Sequence, residues 1–325
     1  MLANGAMRPI VTLTMNPCID LNLEVVEILF DVPMRATAQR KRAGGKGINV
    51  SVALAVLGVP SLAVAPLGGH SGREFEDLAR SCFNSDFVQL RPIAIGQPTR
   101  TNTVISEPGG KQIKVNQQGP TLAESEAHRV VEELDRLVGP DSILALCGSL
   151  TPGLNPSFYA ELIERFRQRG AFMALDTDGI AFQRGANVKP DLVKPNRHEL
   201  AMWAGSDLAR DTDFLSAILR LVDKTGGLCL ATDGPNRAYL ASSEEVWTAD
   251  PLPAFGSPVG AGDCALAGLL SVLSRDGLAF HRGRALELAL ACGSASASRP
   301  DTEGLRLDDV HCILGLMKSS HQLSP

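Results

Sequence analysis

Short strand-like segments and amphipathic helical segments alternate through most of this 325-residue chain. Residues 143–147 are apolar throughout, as expected of a strand that is buried on both faces. Further strands are predicted at residues 10–15, 62–66, 172–175, 192–194 and 228–231, and helices at 48–57, 71–82, 124–138, from Asn155-Pro156 onward, and at 261–274, 285–298 and 308–317. This order predicts an α/β fold with a mainly parallel sheet sandwiched by helices.

Two stretches depart from this order, because residues 21–26 and 101–115 alternate polar and apolar side chains. The second is interrupted by the turn signal Pro108-Gly109-Gly110-Lys111. We expect antiparallel strands with one face in solvent, forming a small sheet that projects from the main domain. No long linker or internal repeat divides the chain, which predicts one domain over residues 1–325.

Charge and cysteine content exclude several function classes. The net charge of −5 and the aromatic content of 5% argue against a nucleic-acid partner. The seven cysteines form no Cys-x-x-Cys pair, which is typical of a reduced, cytoplasmic protein. No apolar run reaches the roughly 20 residues of a transmembrane helix, so no membrane partner is expected.

The segment Ser257-Pro-Val-Gly260-Ala261-Gly262-Asp263 runs into an apolar helix. Glycines at a helix start expose backbone N–H groups, which together with the helix dipole attract an anion. A carboxylate in that first turn could accept a proton from an attacking hydroxyl. An ordinary helix cap has the same pattern, so this segment alone leaves both interpretations open.

A second glycine-rich segment, Ala43-Gly44-Gly45-Lys46-Gly47-Ile48-Asn49, also precedes a helix. It offers backbone donors and the cation of Lys46. It is not a Walker A loop, because the lysine is followed by glycine instead of Ser or Thr. The alternative is a flexible turn, with residues 40–42 as a solvated basic cluster.

The third segment, Lys194-Pro-Asn196-Arg-His-Glu199, follows a predicted strand, where α/β folds place ligands. Asn196 and Glu199 share one helical face and could hold Mg²⁺ with its waters. The same spacing describes a helix capping box. Asp20 could accept hydrogen bonds from sugar hydroxyls or form a turn, and Thr232-Asp233-Gly234 could be a plain turn.

In combination these segments resemble the PfkB, or ribokinase-like, carbohydrate kinase family. The runs GGKGINVSVALAVLG and SPVGAGDCALAGLL appear in the family's order and far apart, within a resemblance from Thr14 to about Gly304. The resemblance implies a central sheet sandwiched by helices, with a small β-sheet lid over the sugar site at about residues 16–43 and 98–118. It also implies ATP as co-substrate, Mg²⁺ as cofactor, and a homodimer formed through the lid.

The resemblance also assigns roles to individual residues. Asp263 would be the catalytic base, and the amides of Gly260, Ala261 and Gly262 would form an anion hole. The sugar would bind Asp20, Gly44, Gly45, Asn49 and Ser149. The nucleotide would bind Lys194, Asn196, Thr232, Gly234, Ser257 and Ser294, and Glu199 would hold Mg²⁺ through water.

Within the family the chain is similar to the phosphosugar branch, which implies that the sugar already carries a phosphate. Arg35, Lys46 and Arg100 could bind that phosphate; three exposed basic residues are the alternative. The branch contains 1-phosphofructokinase, tagatose-6-phosphate kinase and a minor 6-phosphofructokinase. Gly-Gly-Lys-Gly favours the first two, and Pro33 stands where the 6-phosphofructokinase pattern has Lys.

Two other classes of function were weighed. Gly260-Ala-Gly262-Asp-Cys-Ala265 fits the Gly-x-Gly-x-x-Ala fingerprint of NAD(P)-dependent oxidoreductases. That fingerprint opens a βαβ unit, whereas mostly helical sequence follows it here. An inactive sugar-phosphate sensor on a kinase scaffold is the other alternative, and the intact Asp263 argues against it.

Overall fold

The computed structural model describes residues 7–108, 110–254, 256–299 and 304–323. Within these residues the strands are β1 Ile10–Thr14, β2 Cys18–Glu24, β3 Ala38–Gly44, β4 Ser61–Gly68, β5 Val88–Ile95, β6 Arg100–Ser106, β7 Gln112–Asn116, β8 Ile143–Cys147, β9 Phe172–Asp176, β10 Leu192–Val193, β11 Leu228–Thr232, β12 Ala238–Ala241, β13 Val246–Ala249 and β14 His321–Gln322. The helices are α1 Lys46–Val56, α2 Gly69–Cys82, α3 Glu124–Leu137, α4 Phe158–Arg167, α5 Gly179–Asn187, α6 Arg197–Ala204, α7 Asp211–Thr225, α8 Ala261–Asp276, α9 Arg282–Ala297 and α10 Leu307–Leu316.

A large sheet forms the centre of the protein. Within the described residues its strand order is β14-β13-β12-β11-β10-β9-β8-β1-β4-β5. The pairs from β5 to β11 are parallel, and β12, β13 and β14 extend one edge in antiparallel pairs. The predicted mainly parallel sheet is confirmed. No helix in the described ranges is long and apolar enough to cross a membrane.

Helices cover both faces of the large sheet, as the continuous apolar strands predicted. Successive side chains of a strand point to opposite faces, and Ile10 packs in a different core from Val11 and Leu13. Strand β8 divides in the same way, with Ile143 in one core and Leu144 in the other. Helices α3, α4, α5 and α7 pack in one core, and α1, α8, α9 and α10 in the other.

A separate sheet, here called the lid sheet, has the strand order β3-β2-β6-β7 among the described residues. Strands β6 and β7 are antiparallel, as predicted, but β2 and β6 run parallel. The expectation that both stretches are antiparallel strands was therefore wrong for this pair. Parallel pairing is possible because α1, β4, α2 and β5 connect the two strands. Gly109 of the predicted turn lies outside the described residues.

No separate strand was predicted at β3, although the expected lid range of about 16–43 includes most of it, and a solvated cluster at residues 40–42 was left open as an alternative. Those residues pair instead with β2 along its whole length, from Glu24↔Ala38 to Cys18↔Gly44. A strand at a sheet edge tolerates charged side chains on both faces. The basic composition of residues 40–42 therefore did not indicate that they belong to an edge strand of the lid sheet.

The sequence spacing of Ser71 with Glu74 and of Thr121 with Glu124 predicts a capping box at the start of α2 and of α3, and both predictions are wrong. Helix α2 begins at Gly69, and the Ser71 hydroxyl donates to the Thr99 carbonyl (2.6 Å) instead of capping the helix. Glu74 pairs with Lys41 at 2.7 Å. Before α3, the Ala123 N–H donates to Glu126 Oε2 (2.8 Å), two residues after Thr121 and Glu124.

The packing of α8 on α9 predicts a stability difference between two glycine substitutions. A Cβ at Gly268 would lie 2.8 Å from the Ala289 Cα on α9. We expect Gly268→Ala to lower the free energy of unfolding by about 1–3 kcal/mol. The control Gly315→Ala, on the exposed face of α10 with no atom within 4 Å, should cause no loss. Denaturant titration measures both, and equal stability of the two variants would contradict this packing.

Candidate active site

A cavity of about 730 Å³ lies between the lid sheet and the carboxyl end of the large sheet. Side chains and backbone of both sheets and of the first turn of α8 line it. Fourteen of the residues that the sequence predicted lie in its wall: Asp20, Gly45, Lys46, Asn49, Arg100, Lys194, Asn196, Thr232, Gly234, Gly260, Ala261, Gly262, Asp263 and Ser294. Residues more than 200 positions apart in sequence thus meet in one place.

Five predicted residues do not line the cavity. Arg35 is exposed in the segment between β2 and β3. Gly44 packs against Asp20, since an added Cβ would lie 2.1 Å from its Oδ2. Ser149 accepts a hydrogen bond from Asn16 Nδ2 (3.3 Å), and Ser257 accepts one from the Val259 N–H (3.3 Å). Glu199, the fifth, lies just behind the wall, with Oε1 3.5 Å from Lys46 Nζ.

Asp263 lies in the first turn of α8, and its side chain is 6% exposed. Its Oδ2 accepts a hydrogen bond from Asn49 Nδ2 at 2.8 Å. Burial raises the pKa of Asp263 to about 6, and the nearby charge of Asp176 acts in the same direction. A carboxylate with a pKa closer to neutral is a stronger base than an ordinary aspartate, which suits it to accept a proton from a hydroxyl.

The loop before α8 turns through a left-handed conformation at Gly260, where φ is 78°. The Ala261 N–H donates to the Pro258 carbonyl at 3.2 Å within this turn. Within the described residues the N–H groups of Gly260 and Gly262 make no backbone hydrogen bond. The helix start therefore presents free donors to the cavity, as expected of an anion site.

Asp176 is the main site residue that sequence analysis missed. It ends strand β9, is completely buried, and lies between two lysines: Lys46 Nζ is 2.9 Å from Oδ1 and Lys194 Nζ is 3.3 Å from Oδ2. A Cβ at Gly262 would lie 3.3 Å from Lys194 Nζ, which places this ammonium beside the start of α8. The sequence signal that could have identified Asp176 is its position at the carboxyl end of a strand, directly before Thr177-Asp178-Gly179.

The charges of this cluster shift one another's pKa. Burial alone would raise the pKa of Asp176, but Lys194 and Lys46 outweigh it and hold the pKa below its usual range. Burial would likewise lower the pKa of Lys46, but Asp176 and Glu199 raise it. Both groups are therefore ionised at neutral pH.

The half of the cavity beside β10 and β11 contains the capping box that the spacing of Asn196 and Glu199 allowed. The Glu199 N–H donates to Asn196 Oδ1 and the Asn196 N–H donates to Glu199 Oε2, both at 2.8 Å. Asn196 also forms a β-bridge with Thr232 at the end of β11. The capping interpretation is thus correct for these two residues, and Glu199 Oε1 remains directed toward Lys46.

Arg197, which sequence analysis did not single out, connects α6 with the loop after β11 and with the start of α7. Its guanidinium contacts Asp233 Oδ1 (2.9 Å) in the loop after β11 and Asp211 Oδ1 (2.7 Å) at the start of α7. The guanidinium also lies over the Phe214 ring, 4.4 Å from its centre. These contacts fix the loop of Thr232 and Gly234 relative to α6.

In the half of the cavity under the lid sheet, Asp20 on β2 is flanked by side chains of the neighbouring strands. Arg42 Nε on β3 lies 3.5 Å from Oδ2, and Asn102 Nδ2 on β6 donates to Oδ1 at 3.4 Å. The Cys18 thiol donates to the same oxygen at 3.2 Å. Arg42 and Asn102 line the cavity and were not predicted, because a sequence does not reveal cross-strand neighbours.

Several buried polar atoms in and beside the cavity have no hydrogen-bond partner. They are Arg42 Nε, Arg100 Nε, Asn102 Oδ1, Asp176 Oδ2 and Ser294 Oγ. Such atoms are rare in folded proteins and are expected where a ligand completes the hydrogen bonding. Together with the cavity, they indicate a polar ligand site.

Comparisons with known proteins identify the family and the fold. The model of the family described as pfkB family carbohydrate kinase matches residues 9–304. The tetrameric inhibited form of phosphofructokinase-2 from Escherichia coli is 27% identical, with a TM-score of 0.87 over 95% of this chain and 99% of that chain. The fold is shared by a possible 1-phosphofructokinase from Thermotoga maritima, which is 23% identical with a TM-score of 0.85 over 98% of this chain and 100% of that chain. It is also shared by Arabidopsis thaliana ribokinase complexed with ribose and ATP, which is 18% identical with a TM-score of 0.72 over 95% of this chain and 99% of that chain.

The raised pKa of Asp263 predicts the pH dependence of any reaction in which it acts as base. Only the ionised carboxylate accepts a proton, so kcat/KM should fall about tenfold per pH unit below pH 6 and level off above it. The hydrogen bond from Asn49 lowers this pKa. Asn49→Ala should therefore move the acidic limb of the profile to higher pH. A limb near pH 4 in the unmodified protein would contradict this environment.

Proposed function

Because the chain belongs to the pfkB family of carbohydrate kinases, we propose that it transfers the γ-phosphoryl group of ATP to a hexose phosphate, forming a hexose bisphosphate. One observation carries the proposal. The buried carboxylate of Asp263 lies at the start of α8, in a single cavity whose two halves hold Asp20 and Asn196. A base placed between a sugar-binding and a nucleotide-binding half suits phosphoryl transfer to a hydroxyl.

Fructose 1-phosphate is the substrate that the sequence favours, which would make the protein a 1-phosphofructokinase. Lys46 within Gly-Gly-Lys-Gly and Pro33, two residues before Arg35, argue against fructose 6-phosphate but do not separate fructose 1-phosphate from tagatose 6-phosphate. The alternatives are fructose 6-phosphate and tagatose 6-phosphate. The Escherichia coli phosphofructokinase-2 that was crystallised in complex with fructose-6-phosphate is 26% identical to this chain, which keeps the first alternative open.

In the proposed mechanism, Asp263 accepts the proton of the sugar hydroxyl as its oxygen attacks the γ-phosphorus. Asn49 holds the carboxylate in place through its 2.8 Å hydrogen bond. The N–H groups of Gly260 and Gly262, with Lys46 and Lys194 nearby, stabilise negative charge on the phosphoryl oxygens. Positioning and electrostatics of this kind supply most of the rate enhancement in phosphoryl transfer.

ATP would bind in the half formed by Lys194, Asn196, Thr232, Gly234 and Ser294. The unpartnered Ser294 Oγ supports this placement, because it is buried and lines the cavity. Mg²⁺ would be held through water by Glu199, whose Oε1 lies behind the cavity wall, because Mg²⁺ commonly uses one or two carboxylates with water and phosphates. When bound, the ion would neutralise phosphate charge.

Three cations, Arg35, Lys46 and Arg100, were predicted to bind the phosphate of the sugar. Lys46 and Arg100 line the cavity, and Arg35 does not. This three-residue site stays a prediction.

A cytoplasmic location belongs to the same proposal, since ATP and sugar phosphates occur there and all seven cysteines are free.

The two other classes of function are less well supported. An NAD(P)-dependent oxidoreductase does not agree with membership of a kinase family, and the glycine fingerprint opens α8, which is followed by α9 instead of a strand. An inactive sensor would not need a buried carboxylate with a raised pKa beside free helix N–H groups. Turnover measurements separate these alternatives.

An ADP-release screen tests the proposed function. We expect turnover with fructose 1-phosphate, and less or none with fructose 6-phosphate, tagatose 6-phosphate, fructose or ribose. Asp263→Asn should lower kcat by about 10²- to 10⁴-fold, since it removes the base but keeps the shape. It should still bind ATP. Absence of ADP release with every sugar, or near-normal activity of Asp263→Asn, would refute the proposal.

A homodimer through the lid is part of the proposal, and exposed apolar side chains support it. Val26 is 77% exposed and Phe30 is 78% exposed in the segment between β2 and β3. Contiguous apolar exposure of this kind often marks an interface. We expect Phe30→Glu to convert a dimer to a monomer in analytical ultracentrifugation. Leu316→Glu, at the exposed end of α10, is the control, and a monomeric unmodified protein would contradict this part.

A further inference from the structure

The β11–β12 turn, residues 233–237, forms a thin wall of the active-site cavity, in the half that is proposed to hold ATP. Gly234 and Pro235 line that cavity of about 730 Å³. Gly234 also lines an open surface cavity of about 580 Å³, and Pro235 lines another of about 570 Å³. The backbone of the turn therefore separates the proposed nucleotide site from the protein surface.

Asp233 lies on the outer side of this wall. It lines both surface cavities and does not line the active-site cavity. Its Oδ1 lies 2.9 Å from Arg197 Nε, and its Oδ2 accepts a hydrogen bond from Asn236 Nδ2 at 2.9 Å. Both carboxylate oxygens have protein partners, so Asp233 holds the turn in place and does not contact a ligand in the cavity.

Gly234 presents an unused backbone donor on the inner side. The Asp233 N–H donates to the Arg237 carbonyl (2.9 Å), and the Asn236 N–H donates to the Asp233 carbonyl (3.0 Å). In the part of the chain that the structure describes, the Gly234 N–H makes no hydrogen bond. The position of this donor depends on how firmly the neighbouring Asp233 is anchored.

Arg197 anchors Asp233 from outside the cavity, which it does not line. Its guanidinium also contacts Asp211 Oδ1 (2.7 Å), donates to the Leu208 carbonyl and lies over the Phe214 ring. The N–H groups of a guanidinium point in fixed directions. Contacts on several sides therefore hold Arg197 in one orientation, and the Asp233 pair transmits that orientation to the turn.

We propose, as an extension that rests on the proposed function, that Arg197 is a positioning residue that sets the affinity for ATP by holding the β11–β12 turn through Asp233. A loop that is already fixed in its bound conformation loses less conformational entropy when the ligand binds. Without the ion pair, ATP itself would have to order the turn. Asp263 and Asn49 lie on α8 and α1, so the proton-transfer step does not depend on the pair.

Steady-state kinetics on the full chain tests the assignment, with ATP and fructose 1-phosphate, or whichever hexose phosphate of the ADP-release screen is turned over. Arg197→Met should raise KM for ATP about tenfold, the usual cost of losing a charged hydrogen bond. KM for the sugar phosphate, and kcat at saturating ATP, should stay within about twofold, because the lost interaction serves nucleotide binding alone.

Asp233→Asn tests the same contact from the turn. It keeps the shape of the side chain, removes its charge, and leaves the start of α6 with Asn196 and Glu199 untouched. We expect KM for ATP to rise about three- to tenfold. The double variant should differ from Arg197→Met by no more than about twofold, because two substitutions that remove one interaction are not additive.

Arg210 supplies a matched control. It lies in the same connection between α6 and α7 and also pairs with an aspartate, with Nε 2.8 Å from Asp213 Oδ2, but its side chain is 79% exposed. Within the described ranges it makes no hydrogen bond or ion pair with the β11–β12 turn. Arg210→Met should leave every kinetic constant unchanged, because exposed ion pairs contribute little. Circular dichroism and thermal melting check that each variant is folded.

The outcomes separate this inference from the proposed function. If the unmodified protein phosphorylates a sugar phosphate but Arg197→Met and Asp233→Asn keep its KM for ATP, the inference is overturned alone. A lower melting temperature without a change in KM for ATP would show that the pair only stabilises the fold. An equal rise in KM for the sugar phosphate, or additive effects in the double variant, would also overturn it.

If no sugar phosphate is turned over, the proposed function fails, and calorimetric titration with ATP in the presence of Mg²⁺ decides on Arg197. Weaker binding of ATP by Arg197→Met and by Asp233→Asn, with unchanged binding by Arg210→Met, supports the inference. Equal binding by all variants, or no binding by the unmodified protein, overturns it.

Discussion

The pairing of Asp176 with Lys46 and Lys194 is the interaction on which the arrangement of the cavity depends. Burying a lone carboxylate costs several kcal/mol, so the folded state must bring cations to it. The three residues come from β9, α1 and the end of β10, and their pairing fixes these elements relative to one another. The same contacts that compensate burial also place two positive charges beside the start of α8.

The two buried aspartates of the site, Asp176 and Asp263, have pKa values shifted in opposite directions. Asp176 contacts both ammonium groups and stays ionised, whereas Asp263 is buried beside that negative charge and accepts one hydrogen bond from Asn49. Burial, together with the nearby charge of Asp176, raises the pKa of Asp263 to about 6 although the hydrogen bond from Asn49 lowers it. Environments that separate the pKa values of neighbouring carboxylates often indicate which of them exchanges a proton. Here they single out Asp263, in agreement with the local sequence at the start of α8.

Local sequence patterns predicted the parallel sheet and the glycine loops, because these depend on neighbouring residues and strand order. The residues that meet in the cavity wall were named by the family resemblance, because their local patterns left a turn or a helix cap equally open. The charge cluster could not be predicted in this way, since Lys46 and Asp176 are 130 positions apart. Arg42 was misjudged for a related reason: a basic run does not reveal which side chains face inward once β3 pairs with β2. The parallel alignment of β2 with β6 likewise depends on how the intervening elements return the chain.

The position of the Asp20 carboxylate requires a glycine at residue 44. An added methyl group at residue 44 would lie 2.1 Å from Asp20 Oδ2, so any larger side chain would displace that carboxylate. Gly44 does not line the cavity, whereas Asp20 does. A substitution at residue 44 would therefore change the shape and charge of the cavity wall from behind it.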